Sequence, residues 1–151
     1  MPALFYHLTH SALEDTVETI LSRALAQDWR VVLRCPDARL AARLDEQLWT
    51  REAAGFLPHG RAGGPHDALQ PVLITEGATD AGPAQALMAV GGAEVDPAEI
   101  AAHERVWILF DGLDREALSR ARDQWRALTG AGAAAQYWSE EGGRWEKKTE
   151  R

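Results

Sequence analysis

Apolar residues recur along this chain in two rhythms that alternate. The run ALFYHL, Ala3 to Leu8, is short, apolar and aromatic, which predicts a first strand. From Ser11 the spacing changes. Leu13, Val17, Ile20, Leu21, Ala24 and Leu25 fall three and four residues apart, which predicts an amphipathic helix to about Gln27. Ser11 with Glu14 three positions on has the spacing of a capping box. WRVVLRC, Trp29 to Cys35, is rich in β-branched residues and predicts a buried strand that turns at Pro36-Asp37. Leu40, Ala41, Leu44, Leu48 and Trp49 give a second helix its apolar stripe.

Regular patterning then stops. His59 to Pro71 reads as a loop with three glycines and two prolines. Val72 to Thr75 predicts another strand, and Ala86 to Gly92 is a short apolar run closed by glycines. RVWILFDG, Arg105 to Gly112, is the strongest strand signal. Asp114 is placed to cap a long helix running to about Thr129. AAAQYWSE and GRWEKK, separated by Glu141-Gly142-Gly143, predict a final strand and a hairpin. Residues 147–151 are expected to fray. Strands alternating with helices imply one α/β layered domain over residues 1–146, with a mainly parallel central sheet. No internal repeat and no separating linker interrupts it.

Composition narrows the classes. A chain of 151 residues, 46% apolar and 26% charged, can bury its own core without staples. A single cysteine, Cys35, leaves no internal disulfide framework and fits a reducing compartment. The opening MPALFYHLTH lacks a basic region followed by a long apolar run, so no signal peptide is expected there. No apolar run approaches the ~20 residues of a membrane span. A soluble, cytoplasmic protein is expected. Net charge is −7, the wrong sign for a general nucleic-acid footprint. Six tryptophans are many for this length, and indoles are favoured at protein contacts.

Catalytic patterns are sparse. In an open parallel sheet, ligands sit beyond the carboxyl ends of strands. No strand leads into GxGxxG, and GxxxxGK[ST] is absent, so no nucleotide cofactor is expected. The first strand runs into THSALED, which has no glycine for close approach of a phosphate. Cys35 could be a nucleophile at a strand-to-helix turn, or simply a small buried apolar residue. Asp111, at the end of VWILF, could be a catalytic or metal-binding acid, or part of a turn that leads to the Asp114 cap. A small hydrolase or transferase using Cys35 or Asp111 is the second functional reading. His7 with His10, and His59 with His66, lack the further ligands that would complete a zinc set, so no metal is expected.

Two surfaces look made for partners. The segment REALSRARDQWRALTG carries Arg115, Arg120, Arg122 and Arg126 against Glu116 and Asp123, a local excess of four minus two, or +2, in an acidic chain. Arg122 and Arg126 are one helical turn apart, with Trp125 beside them. Guanidinium forks next to an indole suit a carboxylate-rich peptide with an aromatic end. Such arginines also occur on plain solvated helix faces. The second surface is LDEQLWTREAAGFLPHG, in which Trp49, Phe56, Leu57, Pro58 and His59 leave a helix and enter a loop. An apolar cluster there marks a partner interface or covers the edge of its own sheet.

FYHL, WRVVLRCPD, LDEQLWT, FLPHGRAGG and, near the end, ARDQWRALTGAG followed by a Tyr-Trp strand occur in the order found in the chi subunit of bacterial DNA polymerase III. The chain resembles that clamp-loader accessory family over nearly its whole length. The resemblance implies a Rossmann-like three-layer fold without a nucleotide-binding loop, and an adaptor without catalysis of its own. It implies two partners, the psi subunit of the clamp loader and single-stranded DNA-binding protein, whose acidic C-terminal tail ends in Pro-Phe. DNA would be met only indirectly. Arg122, Trp125 and Arg126 fall where the family binds the tail. Trp49, Phe56, Leu57, Pro58 and His59 fall in the segment that contacts psi. Leu118 and Thr129 stand where some members carry further basic residues, which implies a less cationic tail pocket here.

Overall fold

The structure, a computed structural model, describes residues 2–50, 58–77 and 82–151. The strands are β1 (Ala3–Leu8), β2 (Val31–Cys35), β3 (Gly60–Arg61), β4 (Val72–Glu76), β5 (Ala86–Val90), β6 (Arg105–Asp111), β7 (Ala135–Ser139) and β8 (Glu146–Glu150). The helices are α1 (Leu13–Ala26), α2 (Ala38–Thr50), α3 (Pro97–Ala102) and α4 (Arg115–Gly130). The strands form one sheet in the order β3-β4-β2-β5-β6-β1-β7-β8, and every described pairing is parallel except β7 with β8.

Alternation along the strands builds a core on each side of the sheet. On one side Leu4, Leu8, Leu33, Met88, Trp107 and Leu109 pack under α1 and α2 through Val17, Leu21, Leu44 and Leu48. On the other, Ala3, Phe5, Val106, Ile108 and Phe110 pack against Ile100 of α3 and Ala121 and Leu128 of α4. This is the expected three-layer, Rossmann-like arrangement. No helix among the described residues is long and apolar enough to cross a membrane.

Three local expectations change. The capping box at Ser11 and Glu14 does not form. Ala12 stands at the N-cap of α1 with no side-chain cap, because the Ser11 hydroxyl is drawn to Glu140 and Glu14 pairs with Arg43 at 2.9 Å. The segment expected to fray, residues 147–151, instead makes most of β8. The turn through Gly143, at φ +89°, folds the chain back onto β7, and Ala135 and Arg151 exchange both backbone hydrogen bonds. Glu146, Lys147, Lys148 and Glu150 give this edge a charged side that discourages further strand pairing. The third change is an addition, α3, whose six residues are too few for a periodic signal but carry a full capping box between Asp96 and Glu99.

Candidate functional site

Helix α4 begins as its sequence foretells. The Asp114 carboxylate accepts from the N–H groups of Glu116 and Ala117 at 2.9 and 3.4 Å. Ala121 and Leu128 turn into the core, and Arg122 and Arg126 are left exposed along the outer flank. Trp125 is half-buried on that flank. Its ring meets Phe5 edge-on at 5.2 Å and Tyr137 edge-on at 5.9 Å. Its exposed part lines a hollow of about 460 Å³ with Arg126, Thr129, Gly130, Gly132, Ala133, Ala134 and Arg151. A neighbouring hollow of about 450 Å³ is lined by Arg115, Leu118, Ser119, Arg122, Asp123 and Arg126. Arg126 is common to both. The three residues singled out by sequence thus sit on one flank, but Trp125 and Arg122 line different hollows and Arg126 connects them.

The charges on this flank are loosely held. Arg126 lies 3.9 Å from Asp123, both side chains being mostly exposed. Arg120 pairs with Glu116 at 3.5 Å and lines neither hollow. Burial raises the Tyr137 phenol, with the Arg122 charge acting in the opposite direction. Thr129 donates its hydroxyl to the Trp125 carbonyl at 2.7 Å, tying the last turn together.

The second surface is described in part. Phe56 and Leu57 lie outside the described residues. Trp49 is 55% exposed at the end of α2, and its ring meets the His59 imidazole at 4.6 Å. His59 is buried, with Nε2 3.2 Å from both the Asp45 carbonyl and the Asp45 carboxylate. It is a prop for Trp49 and not itself a surface group, because the α2 backbone and Asp45 enclose it. Pro58 beside it is half-buried.

The strand ends hold a dense polar arrangement that sequence reasoning missed. Glu140 directly follows β7 and is buried. Its Oε1 accepts the backbone N–H groups of Thr9, His10 and Ser11 at 3.0, 2.7 and 2.6 Å, and its Oε2 accepts the Ser11 hydroxyl at 2.9 Å. The turn after the first strand is where a dinucleotide fold receives phosphate. Here the chain's own carboxylate fills that cradle. Burial acts to raise the Glu140 pKa, but the bonds from Ser11, His10 and Thr9 outweigh it and hold the carboxyl below its usual range. The available signal was negative: a glycine-free THSALED turn still needs an acceptor for its N–H groups.

Beside it, His7 is buried, stacked on Phe110 at 5.3 Å. Gly112 is required there, since a Cβ at that position would lie 1.8 Å from the imidazole. Ser139 Oγ lies 3.4 Å and Glu141 Oε1 3.2 Å from His7, but both meet the same nitrogen, Nδ1. A nucleophile–base–acid relay needs the two on opposite ring nitrogens, so this cluster is not one. Asp111 is exposed and its Oδ1 accepts the Leu113 N–H at 2.9 Å, which is turn chemistry. Cys35 is fully buried; burial first, then the Asp37 charge, pushes its thiol up to about 12, so it carries almost no thiolate at neutral pH.

The chain matches the model of the family described as DNA polymerase III chi subunit, HolC, over residues 1–136. The chain belongs to this family. Chi relatives include DNA polymerase III subunit chi of Escherichia coli (strain K12), 41% identical over 68 residues, covering 40% of this chain and 46% of that protein. A probable chi subunit of Rickettsia prowazekii (strain Madrid E) is 25% identical over 71 residues, covering 47% of this chain and 43% of that one. The chain thus spans less than half the length of the curated relatives it matches. Among solved structures, the C-terminal domain of the DEAD-box protein Dbp5 superposes with a TM-score of 0.57 at 14% identity, over 93% of this chain and 91% of that one. That likeness speaks for the fold alone. The stretch from Tyr137 onward, including Glu140 and β8, lies beyond the family match.

Proposed function

We propose that this chi-family chain is a non-catalytic adaptor of the DNA polymerase III holoenzyme. In this reading the flank of α4 grips the acidic C-terminal tail of single-stranded DNA-binding protein, and the Trp49 end of α2 docks on psi, in the cytoplasm. The observation that carries the reading is the hollow shared by Trp125 and Arg126, with Arg122 one helical turn back. A terminal Phe of the tail would enter beside the Trp125 indole, and tail carboxylates would meet Arg126 and Arg122. Exposed ion pairs give only ~0–1 kcal/mol each, so the aromatic end supplies most of the affinity and the arginines supply steering that weakens with salt.

The test is calorimetric titration of the full chain with a synthetic acidic peptide ending in Pro-Phe, and with the same peptide lacking its last two residues. Binding of the first and not of the second supports the reading. Equal binding of both, or of neither, overturns it. The psi contact is tested separately by co-purification of psi with the native chain and with Trp49→Ala.

A further inference from the structure

A third hollow, of about 750 Å³, lies on the opposite face of the sheet from α4. Its floor is Leu4 and Tyr6 of β1 with Gln136 and Trp138 of β7. One wall is the flank of α1 that carries Asp15, Thr16, Thr19, Ile20 and Arg23. The other is Trp145, which stands just before β8 and leans over Tyr6 at 5.2 Å between ring centroids. Volume and aromatic lining are those of a ligand site. Trp138 and Trp145 both lie beyond the residues that match the family model.

The two ends of the groove differ in charge. Arg23, in the last turn of α1, and Arg105, at the start of β6, gather at the amino end of β1 beside Pro2. Neither guanidinium has an ion-pair or hydrogen-bond partner among the described residues, and Arg105 Nε is buried without an acceptor. Arg23, Arg105 and Tyr6 line the same hollow, and burial raises the Tyr6 phenol against the lowering effect of both arginines. At the carboxyl end of β1 stand His10, Ser11 and the exposed carboxylate of Asp15. Six strand residues at ~3.3 Å each separate the ends by roughly 20 Å. Two unpaired cations in a chain of net charge −7, three rings, then a carboxylate, make a site with a direction.

We infer that this groove docks a short extended peptide segment, acidic where it meets Arg23 and Arg105, bulky and apolar over Tyr6, Trp138 and Trp145, and basic toward Asp15. Guanidinium forks hold carboxylates by paired hydrogen bonds. Rings of this kind also stack on nucleobases, but a single strand must bring a phosphate with every base. Two cations at one end, a carboxylate at the other and the acidic whole oppose that. The groove is separate from the α4 flank, so this inference stands or falls apart from the tail-binding reading.

The test is selection of a displayed random heptapeptide library on the full chain, followed by titration of the enriched sequence as a synthetic peptide. The expected result is an acidic–apolar–basic consensus. Its affinity should fall roughly tenfold or more in the Arg23→Gln, Arg105→Gln double variant and clearly in Trp145→Ala. Arg39→Gln, an exposed change on α2 well outside the groove, serves as the charge control and should leave it unchanged. Arg23→Gln alone, at an exposed position, reports on the same end should the double variant fold poorly. The inference is overturned if no consensus is enriched, if the consensus lacks acidic residues, if the arginine variants bind as the native chain does, or if oligo(dT) displaces the peptide with comparable affinity.

Discussion

The carboxyl end of β1 and the flank of α4 both gather donors suited to an anion, and they are finished in opposite ways. At the carboxyl end of β1, three backbone N–H groups and a hydroxyl converge on the Glu140 carboxylate. On the flank of α4, Trp125, Arg126 and Arg122 border open hollows, and the nearest carboxylate, Asp123, sits 3.9 Å from Arg126 in solvent. The first satisfies itself and is closed; the second leaves its charges in solvent. If the proposed reading holds, a fold of this type abandons its usual ligand position, closes it with one internal carboxylate, and relocates recognition to a helix flank.

The largest expected effect lies at the closed place. Glu140→Ala leaves three backbone donors and a hydroxyl without their acceptor. Water can reach part of the turn, so the loss should be about 3 kcal/mol, or roughly 6–12 °C in thermal midpoint for a domain of this size. Circular dichroism melts check it. A shift within a degree would mean that water replaces the carboxylate without loss, and the contrast between the two places would collapse.

The same residue sets the acid limit. Bonds from the turn, acting against burial, lower the Glu140 pKa, and the Arg34 hydrogen bond, also acting against burial, lowers that of Glu99. A group with a depressed folded pKa contributes stability that is complete above its unfolded value, near ~4.3 for Glu, and that fades as pH falls through the folded one. Thermal midpoints should therefore be level from pH 8 to about 5 and decline below about 4.3. In Glu140→Gln the plateau should be lower and the acid decline shallower. An unchanged slope would assign the acid limit to other groups.

How legible the two places were differs for physical reasons. The layered fold follows from local patterns: short-range apolar periods of strand and helix type alternate, and each element needs a cover. The α4 flank was legible because Arg122, Trp125 and Arg126 lie within five residues on one helix, so helical spacing alone brings them together. Glu140 was not, because its partners are about 130 residues away and are backbone groups that any sequence possesses. The groove of Tyr6, Trp138 and Trp145 was half legible. Strand alternation puts Tyr6 with Leu4, and Trp138 with Gln136, but only the β1–β7 register makes them neighbours. The burial of His59 was not legible either, because it depends on Asp45, fourteen residues back on α2, which draws the ring inside.

At the open place the effects concern binding. Trp125→Ala should weaken the tail peptide roughly tenfold to a hundredfold, and its melt must be recorded too, since the ring also packs on Phe5 and Tyr137. Arg126→Gln should cost roughly three- to fivefold at low salt, and less as ionic strength rises. Arg120→Ala, outside both hollows, should stay within twofold. Calorimetric titration ranks the three. Equal losses for Trp125→Ala and Arg120→Ala would show that general positive charge, and not an aromatic anchor, attracts the peptide.

The smallest effect sharpens the contrast most directly. Asp123 is the internal competitor at the open place, as Glu140 is the internal occupant of the closed one. Its link to Arg126 is long and solvent-exposed, so it restrains the guanidinium only weakly. Asp123→Asn should remove that competition and a like charge that repels tail carboxylates, tightening the peptide about twofold at low salt with no measurable change in melting. The gain should vanish at high salt, where exposed charges are screened. A loss of affinity in Asp123→Asn would mean that Asp123 orients Arg126 for the peptide, and the α4 flank would then be organised in advance by its own carboxylate, much as the β1 turn is.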